Sequence, residues 1–268
     1  MKALKKILLL FVVFSFLFSL NAEDIKSKGT HFYFVQVTDT HFDTAESLER
    51  TEKIVELINN LPMRAEFVAC TGDIVDKGMT DEKAREDALR IFKGLKLPVH
   101  YVAGNHDIKS KTQEQDKALF EKDFGKLFSK AEYNGVVFYF IYMEAVIYDK
   151  NFEGFDAWGT LEKNLQEDKG KPVIIFTHSP PFSDFHKNKL NDFWKPEALS
   201  RFIKLINSYD VKAVIAGHFH RDELHWLEKV PLFTAPPIAA KFGRQGTYRV
   251  YEYDNGKIGY WTQYLKKD

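Results

Sequence analysis

A single cysteine, Cys70, is the only thiol in this 268-residue chain. One thiol closes no internal disulfide, so stability has to come from core packing. Cys70 ends the apolar run Phe67-Val68-Ala69-Cys70 and reads as a small buried hydrophobe. A reactive thiolate needs an electropositive, partly exposed setting that this context does not offer. Charge of one sign is also missing, because 38 Lys and Arg balance 38 Asp and Glu. Binding nucleic acid in bulk normally takes a basic stripe that displaces counterions, and none is present. Internal repeats, low-complexity tracts and Ser/Gly-rich linkers are absent too. With 44% hydrophobic and 15% aromatic residues, this favours one domain around a large core.

Long apolar runs are confined to the N-terminus. Lys2, Lys5 and Lys6 precede Ile7–Leu20, and Asn21-Ala22-Glu23 follow. This is the basic region, apolar stretch and small-residue exit of a secretory signal. Its 14 apolar-run residues reach only ~21 Å as a helix, short of a ~30 Å hydrocarbon core. The expectation is a signal peptide over 1–22 and a domain over 23–268, exported to the periplasm or secreted, with no membrane span after cleavage. An uncleaved anchor is the less favoured reading, although Leu20 is large for its place before a cut after Ala22. No cysteine follows the run to take a lipid. Cleavage would leave 35 basic against 38 acidic side chains.

Strand-like runs fall at Phe32–Thr38, Glu66–Thr71, Pro98–Ala103, Val136–Tyr142, Val173–Thr177 and Lys212–Ala216. Helical patterns lie between several of them: Ala45–Asn60, Asp81–Lys93 after Thr80 as N-cap, and Pro196–Ser208 with proline at the helix start. Alternating strands and helices imply an α/β core that is at least partly parallel. Four short strands follow, at Leu224–Leu227, Leu232–Ala235, Tyr248–Tyr253 and Ile258–Leu265. Asn255-Gly256 supplies a two-residue hairpin turn. This tail is expected to complete a second, mixed sheet. The fold class is α/β: a four-layer α/β/β/α sandwich of two mixed sheets flanked by helices, with polar loops at one edge.

Those polar loops begin where the strands run out: Asp39-Thr40-His41, Gly72-Asp73-Ile74-Val75-Asp76, Gly104-Asn105-His106-Asp107, Thr177-His178 and Gly217-His218-Phe219-His220. On an extended segment, residues two apart point the same way. Asp39 and His41 therefore offer a carboxylate oxygen and an imidazole nitrogen to a single ion. His218 and His220 repeat the spacing, and Gly217 permits close approach. Asp73 sits where a carboxylate can bridge two cations, and Asn105 adds an amide oxygen. His106 diverges from its neighbour and can face a substrate, whereas Asp107 reads as structural. Pro180-Pro181 turn the chain away just after His178. Mixed oxygen and nitrogen donors suit Mn²⁺, Fe or Zn²⁺ better than Ca²⁺. Each piece alone is commonplace, and a lone histidine is usually a satisfied core or surface residue. The weight lies in their joint occurrence in this order.

In residues and order the pieces resemble the calcineurin-like metallophosphoesterases, whose pattern is D-x-H, G-D-x-x-D, G-N-H-D/E, H and G-H-x-H. The resemblance runs from about Phe32 to His220. It implies one ion held by Asp39, His41, Asp73 and His220, and a second held by Asp73, Asn105, His178 and His218, with Asp73 bridging. It also implies attack on phosphorus by a metal-bridging hydroxide, with no covalent enzyme intermediate. His106 would stabilise the transition state or protonate the leaving alkoxide, and Asp76 would orient and charge His106. Two departures narrow the field. Purple acid phosphatases carry tyrosine three residues after the bridging aspartate, where this chain has Asp76. Protein Ser/Thr phosphatases carry G-D-x-x-D-R-G and G-N-H-E, where this chain has Asp76-Lys77-Gly78 and Asp107. Bacterial small-molecule phosphodiesterases, including class III cyclic-nucleotide enzymes, are the looser likeness.

The expectation is an exported, binuclear phosphoesterase acting on small phosphodiesters or monoesters. A nuclease or a phospholipid-cleaving enzyme on the same site is the alternative. A non-catalytic module is disfavoured, because all seven expected ligands stand. Around the centre, His186, Lys187, Lys189 and Trp194 read chiefly as a solvated loop that borders the substrate less readily. Arg244 and Gln245, between Gly243 and Gly246, form a turn that could reach a phosphate, though a plain surface turn is favoured. His31, His100 and His225 read as ordinary. Tyr248, Tyr251, Tyr253, Tyr260, Trp261 and Tyr264 read as an aromatic sheet, core more than base-stacking platform.

Overall fold

Strand β1, His31–Val37, alternates Phe32, Phe34 and Gln36 on one face with Tyr33, Val35 and Val37 on the other, and both faces are covered. The computed structural model describes residues 29–182, 194–240 and 243–266. The signal reading at 1–22 and the residues His186, Lys187 and Lys189 lie outside them. The folded unit begins at His31. No helix among the described residues is long and apolar enough to cross a membrane.

After β1 come α1 (Ala45–Asn59), β2 (Ala65–Thr71), α2 (Glu82–Phe92), β3 (Val99–Val102), α3 (Gln113–Asp123), β4 (Phe128–Tyr133) and β5 (Val136–Ile141). The chain continues through α4 (Glu144–Ile147), α5 (Ala157–Glu167), β6 (Val173–Phe176), α6 (Pro196–Ile206) and β7 (Val211–Ala216). It closes with β8 (Glu223–Leu227), β9 (Val230–Thr234), β10 (Thr247–Asp254) and β11 (Lys257–Tyr264). Two sheets result, ordered β11-β10-β1-β2-β3 and β4-β5-β6-β7-β9-β8. β1, β2 and β3 run parallel, as do β5, β6, β7 and β9, so the C-terminal ends of most motif-bearing strands share an edge of their sheet. Both sheets are mixed and helices flank them, as expected from the alternation of elements.

Aromatic rings fill the layer between the sheets. Phe34 of β1 stacks on Phe67 at 5.3 Å and Tyr251 at 5.0 Å, and meets Phe138 and Phe176 of the other sheet edge-on. The opposite strand faces, carrying Val35, Val68, Val214 and Ile175, join the outer core with Ile54, Ile58, Phe202 and Ile206 of the helices. Burying each such side chain contributes about 1.5–3 kcal/mol. Cys70 lies in this outer core, fully buried, and burial pushes its thiol well above the ordinary range.

Several local expectations need correcting. The tail does not complete one sheet. β8 and β9 extend the second sheet from β7, while β10 and β11 return to pair with β1 of the first. Asp81, not Thr80, caps α2, because its Oδ1 accepts from Ala84 N at 3.2 Å. Thr80 N instead donates to Asp116 Oδ1 at 2.8 Å. Trp194 is not solvated; it is buried against Phe202, with ring centroids 5.0 Å apart. The elements α3, β4, α4 and α5 were not anticipated.

Candidate metal centre

Asp39, His41, Asp73, His218 and His220 all adopt left-handed backbone, with φ of 52°, 41°, 51°, 64° and 54°. Asp and His are among the few non-glycine residues enriched there, and such geometry clusters at functional sites. The left-handed turn ends each strand abruptly and folds the polar side chains inward. Gly72 shares this backbone at φ 91°, and a β-carbon there would fall 2.6 Å from His178 Nδ1.

Two of the buried carboxylates, Asp39 and Asp73, divide their oxygens the same way. Asp39 Oδ2 accepts from Thr38 Oγ1 at 2.7 Å and from His218 N at 3.0 Å, while Oδ1 lies 3.0 Å from His220 Nε2 and 3.9 Å from His41 Nε2. Asp73 Oδ1 accepts from His106 N at 2.7 Å, while Oδ2 faces His178 Nε2 at 3.2 Å and His41 Nε2 at 3.7 Å. One oxygen of each is fixed by the scaffold and the other is presented to imidazoles.

His178 shows what the cluster requires. Its Nδ1 donates to Thr71 O at 2.8 Å. In the neutral ring this leaves Nε2 as a lone pair. That lone pair points at Asp73 Oδ2 (3.2 Å) and Asn105 Oδ1 (3.1 Å), with His218 Nδ1 at 3.2 Å. Converging lone pairs in a buried pocket repel unless a cation lies among them. Without a metal a proton has to serve as that cation: burial alone would lower the His178 pKa, yet the Asp73 carboxylate raises it well above the usual range. His218 goes the other way, pushed down to about 4 by burial and by His178 beside it. Burial opposes ionised Asp39 and Asp73, but His220 and His178 respectively hold these carboxyls below their ordinary range.

Ligand atoms gather in three groups whose members lie within 4.8 Å of one another: Asp39, His41 and His220; Asp73, His178 and His218; and His41, Asp76 and His106. His218 Nε2 is buried with no hydrogen-bond partner. Carboxylate, amide and imidazole donors in this arrangement fit transition-metal ions. All nine expected site residues are therefore brought to one place. The structure adds a relation that the sequence did not reveal: Asp76 Oδ1 lies 3.1 Å from His106 Nδ1 and also 3.2 Å from His41 Nδ1. His106 Nδ1 donates to the Asp76 carbonyl at 2.8 Å, and burial lowers its pKa. Asp107 ties two motif loops together, accepting from Val75 N at 2.9 Å and Gly104 N at 2.7 Å. Burial and the Asp73 charge push its carboxyl up to about 8. Glu144, the first residue of α4, was missed; its Oε1 accepts from Ser179 N at 2.7 Å, next to His178. An isolated glutamate after an apolar run carries no motif that would have flagged it.

Two mixed sheets edged with paired acid–imidazole clusters define a metal-dependent phosphohydrolase fold and site. Residues 32–222 match the family model for calcineurin-like phosphoesterases, and the chain belongs to that family. It is therefore a metal-dependent phosphohydrolase of a family that works with two metal ions. Among curated relatives, a probable glycerophosphodiester phosphodiesterase GpdQ of Arcobacter nitrofigilis is 26% identical, over 85% of this chain and 88% of that one. A protein named serine/threonine-protein phosphatase CPPED1 of Danio rerio is 23% identical, over 76% and 74%. The fold is shared with GAP50, described as the anchor in the inner membrane complex of Plasmodium (TM-score 0.63, 15% identity, 89% of each chain). It is also shared with the phosphopantetheinyl hydrolase PptH of Mycobacterium tuberculosis (TM-score 0.53, 11% identity, 78% and 91%).

Proposed function

We propose that the domain hydrolyses small-molecule phosphodiesters or monoesters. Asp39, His41, Asp73 and His220 would hold one ion, and Asp73, Asn105, His178 and His218 the other. The observation that carries this is Asp73 Oδ2, a single oxygen facing His178 of one group and His41 of the other. Manganese, iron or zinc suits the donor set. When bound, such a pair supplies Lewis acidity toward the phosphoryl oxygens and an activated water.

The remaining work falls to the chain. His106 is the group for the leaving oxygen. Its Nδ1 donates to the Asp76 carbonyl, so Nε2 is the ring atom left for the leaving oxygen, and it holds a transferable proton in the charged form of the ring. The Asp76 carboxylate lies 3.1 Å from Nδ1 and orients the ring; burial lowers the His106 pKa, with the Asp73 charge and the Asp76 carbonyl working against it. Asp76 also faces His41 Nδ1, which keeps Nε2 of that ring turned to the carboxylates. Asp107 and Gly104 fix the loop that carries Asn105 and His106. Small substrates are favoured by the balanced charge and by the diesterase name of the Arcobacter relative.

The test is hydrolysis of bis(p-nitrophenyl) phosphate and of p-nitrophenyl phosphate by metal-stripped protein reloaded with Mn²⁺, beside Asp73→Asn. Metal-dependent cleavage lost in the variant is expected. Cleavage that survives stripping or the substitution would overturn the assignment. Export is part of the proposal and rests on Lys2, Lys5 and Lys6 preceding Ile7–Leu20. A mature protein starting near residue 23 in the exported fraction is expected, and an intact chain retained in the cytosol would refute it.

A further inference from the structure

A cavity of about 560 Å³ opens beside His220, bordered by Arg221, Gly243, Arg244 and Tyr264. Its own carboxylates are already matched. Asp222 accepts from the fully buried Arg249 at 2.6 Å, and Glu223 is paired with Arg221 at 3.1 Å and His225 at 2.9 Å. Arg244 also borders an adjoining groove, where Glu46 pairs with Arg50 at 2.6 Å and Glu49 with Lys53 at 3.1 Å. Among the described residues, no carboxylate is paired with the Arg244 guanidinium. The backbone under it is nonetheless fixed. Arg50 Nη1 donates to Arg244 O at 2.8 Å, and Gln245 Nε2 donates to Leu265 O. A cation with no paired carboxylate among the described residues, on an anchored turn, thus faces a cavity that reaches a residue of the metal centre.

We propose that this cavity receives the part of the substrate outside the scissile phosphoryl group, and that Arg244 selects substrates carrying a second anionic group there. This rests on the phosphohydrolase reading of the centre and adds a substrate class to it. Phosphate and carboxylate share the chemistry required, because the planar guanidinium fork pairs with either through two parallel hydrogen bonds. The half-exposed Tyr264 ring offers a flat wall for the organic portion between the two anions.

The test uses the Mn²⁺-loaded enzyme and three matched esters: phenyl phosphate, 4-carboxyphenyl phosphate and benzene-1,4-diyl bisphosphate. Wild type is expected to favour at least one doubly anionic ester by about tenfold or more in kcat/KM. The preferred ester identifies phosphate or carboxylate as the second anion. In Arg244→Ala the ratio falls toward one through a rise in KM for the favoured ester, and Arg244→Lys recovers part of it. Lys53→Ala, on the adjoining groove, controls for a general loss of positive charge and keeps the wild-type ratio. Equal effects of Arg244→Ala on all three esters, or no preference in wild type, would overturn the proposal. Turnover of none of the three, with bis(p-nitrophenyl) phosphate still cleaved, would count against the monoester part of the proposed function instead and pass the question of the anion site to binding. Calorimetric binding of benzene-1,4-bisphosphonate against phenylphosphonate, in wild type and Arg244→Ala, then decides the anion site separately: a preference lost in the variant supports it, and an unchanged one refutes it.

Discussion

Gly104 lies so close to Asp73 that a β-carbon at position 104 would sit 2.3 Å from both the backbone nitrogen and Oδ1 of Asp73. The aspartate is thus held between His106 N, which binds Oδ1, and a neighbour that leaves no room for displacement. Gly104→Ala should cost about 1–3 kcal/mol of stability by overpacking. Turnover should fall by about a hundredfold or more, because ångström-scale misplacement at a reacting centre has that effect. Metal content and kinetics on folded protein check this, and wild-type values for both would show that Asp73 tolerates being moved.

Asp76 serves two rings, so its removal should show two defects. Asp76→Asn is expected to lower turnover by about 10–100-fold and to weaken metal binding as His41 loses its orientation. His106→Gln should reduce turnover by about 10²–10⁴-fold with both ions retained. Metal titrations run beside kcat separate the two cases. Loss of metal from the His106 variant would mean that this ring is a ligand.

The centre was legible because its residues follow strands whose apolar runs stop abruptly, a pattern that needs no tertiary knowledge. Helix α3 was not, since only Asp116 and Phe120 of its residues are buried. It is anchored by Asp116, whose carboxylate accepts from Thr80 N, Lys109 N and Thr112 Oγ1, and such anchoring leaves no apolar stripe to read. The course of β10 was equally hidden. Its register sets Phe34 against Tyr251, and no local signal reports a pairing between strands so far apart in the chain. Trp194 was misread because its loop composition is polar, whereas the ring packs on a helix that follows it. The joint role of Asp76 needed three dimensions, since residues 41 and 106 converge on it from different loops.

Acid should weaken the contribution of another buried carboxylate, Asp168 at the end of α5. Burial works against ionised Asp168, but hydrogen bonds from Tyr139 at 2.8 Å and Lys130 at 3.0 Å outweigh it and hold the carboxyl below its ordinary range. A folded pKa below the unfolded value of about 3.9 stabilises above that pH and is lost as pH falls through the folded value. Asp168→Asn should therefore destabilise by about 1 kcal/mol near neutrality, with the gap to wild type narrowing below about pH 4. Urea melts across that range check it, and a gap that widens in acid would reverse the sign.

Metal should stabilise the fold by mass action. At a hundredfold excess over Kd, one bound ion adds about 2.7 kcal/mol. Melting temperature should climb with added Mn²⁺ in wild type and respond much less in Asp73→Asn. Equal responses would place the stabilising ion elsewhere.

The left-handed backbone at Asp39, His41, Asp73, His218 and His220 has a consequence for anyone altering this protein. Each such residue costs on the order of 1 kcal/mol that glycine would not incur. A library screened for heat resistance without metal would therefore enrich glycine at these five places, yielding sturdier proteins with an emptied centre. Thermal tolerance and competence are opposed here at the level of single backbone torsions. Only a screen that scores metal retention alongside melting would keep both.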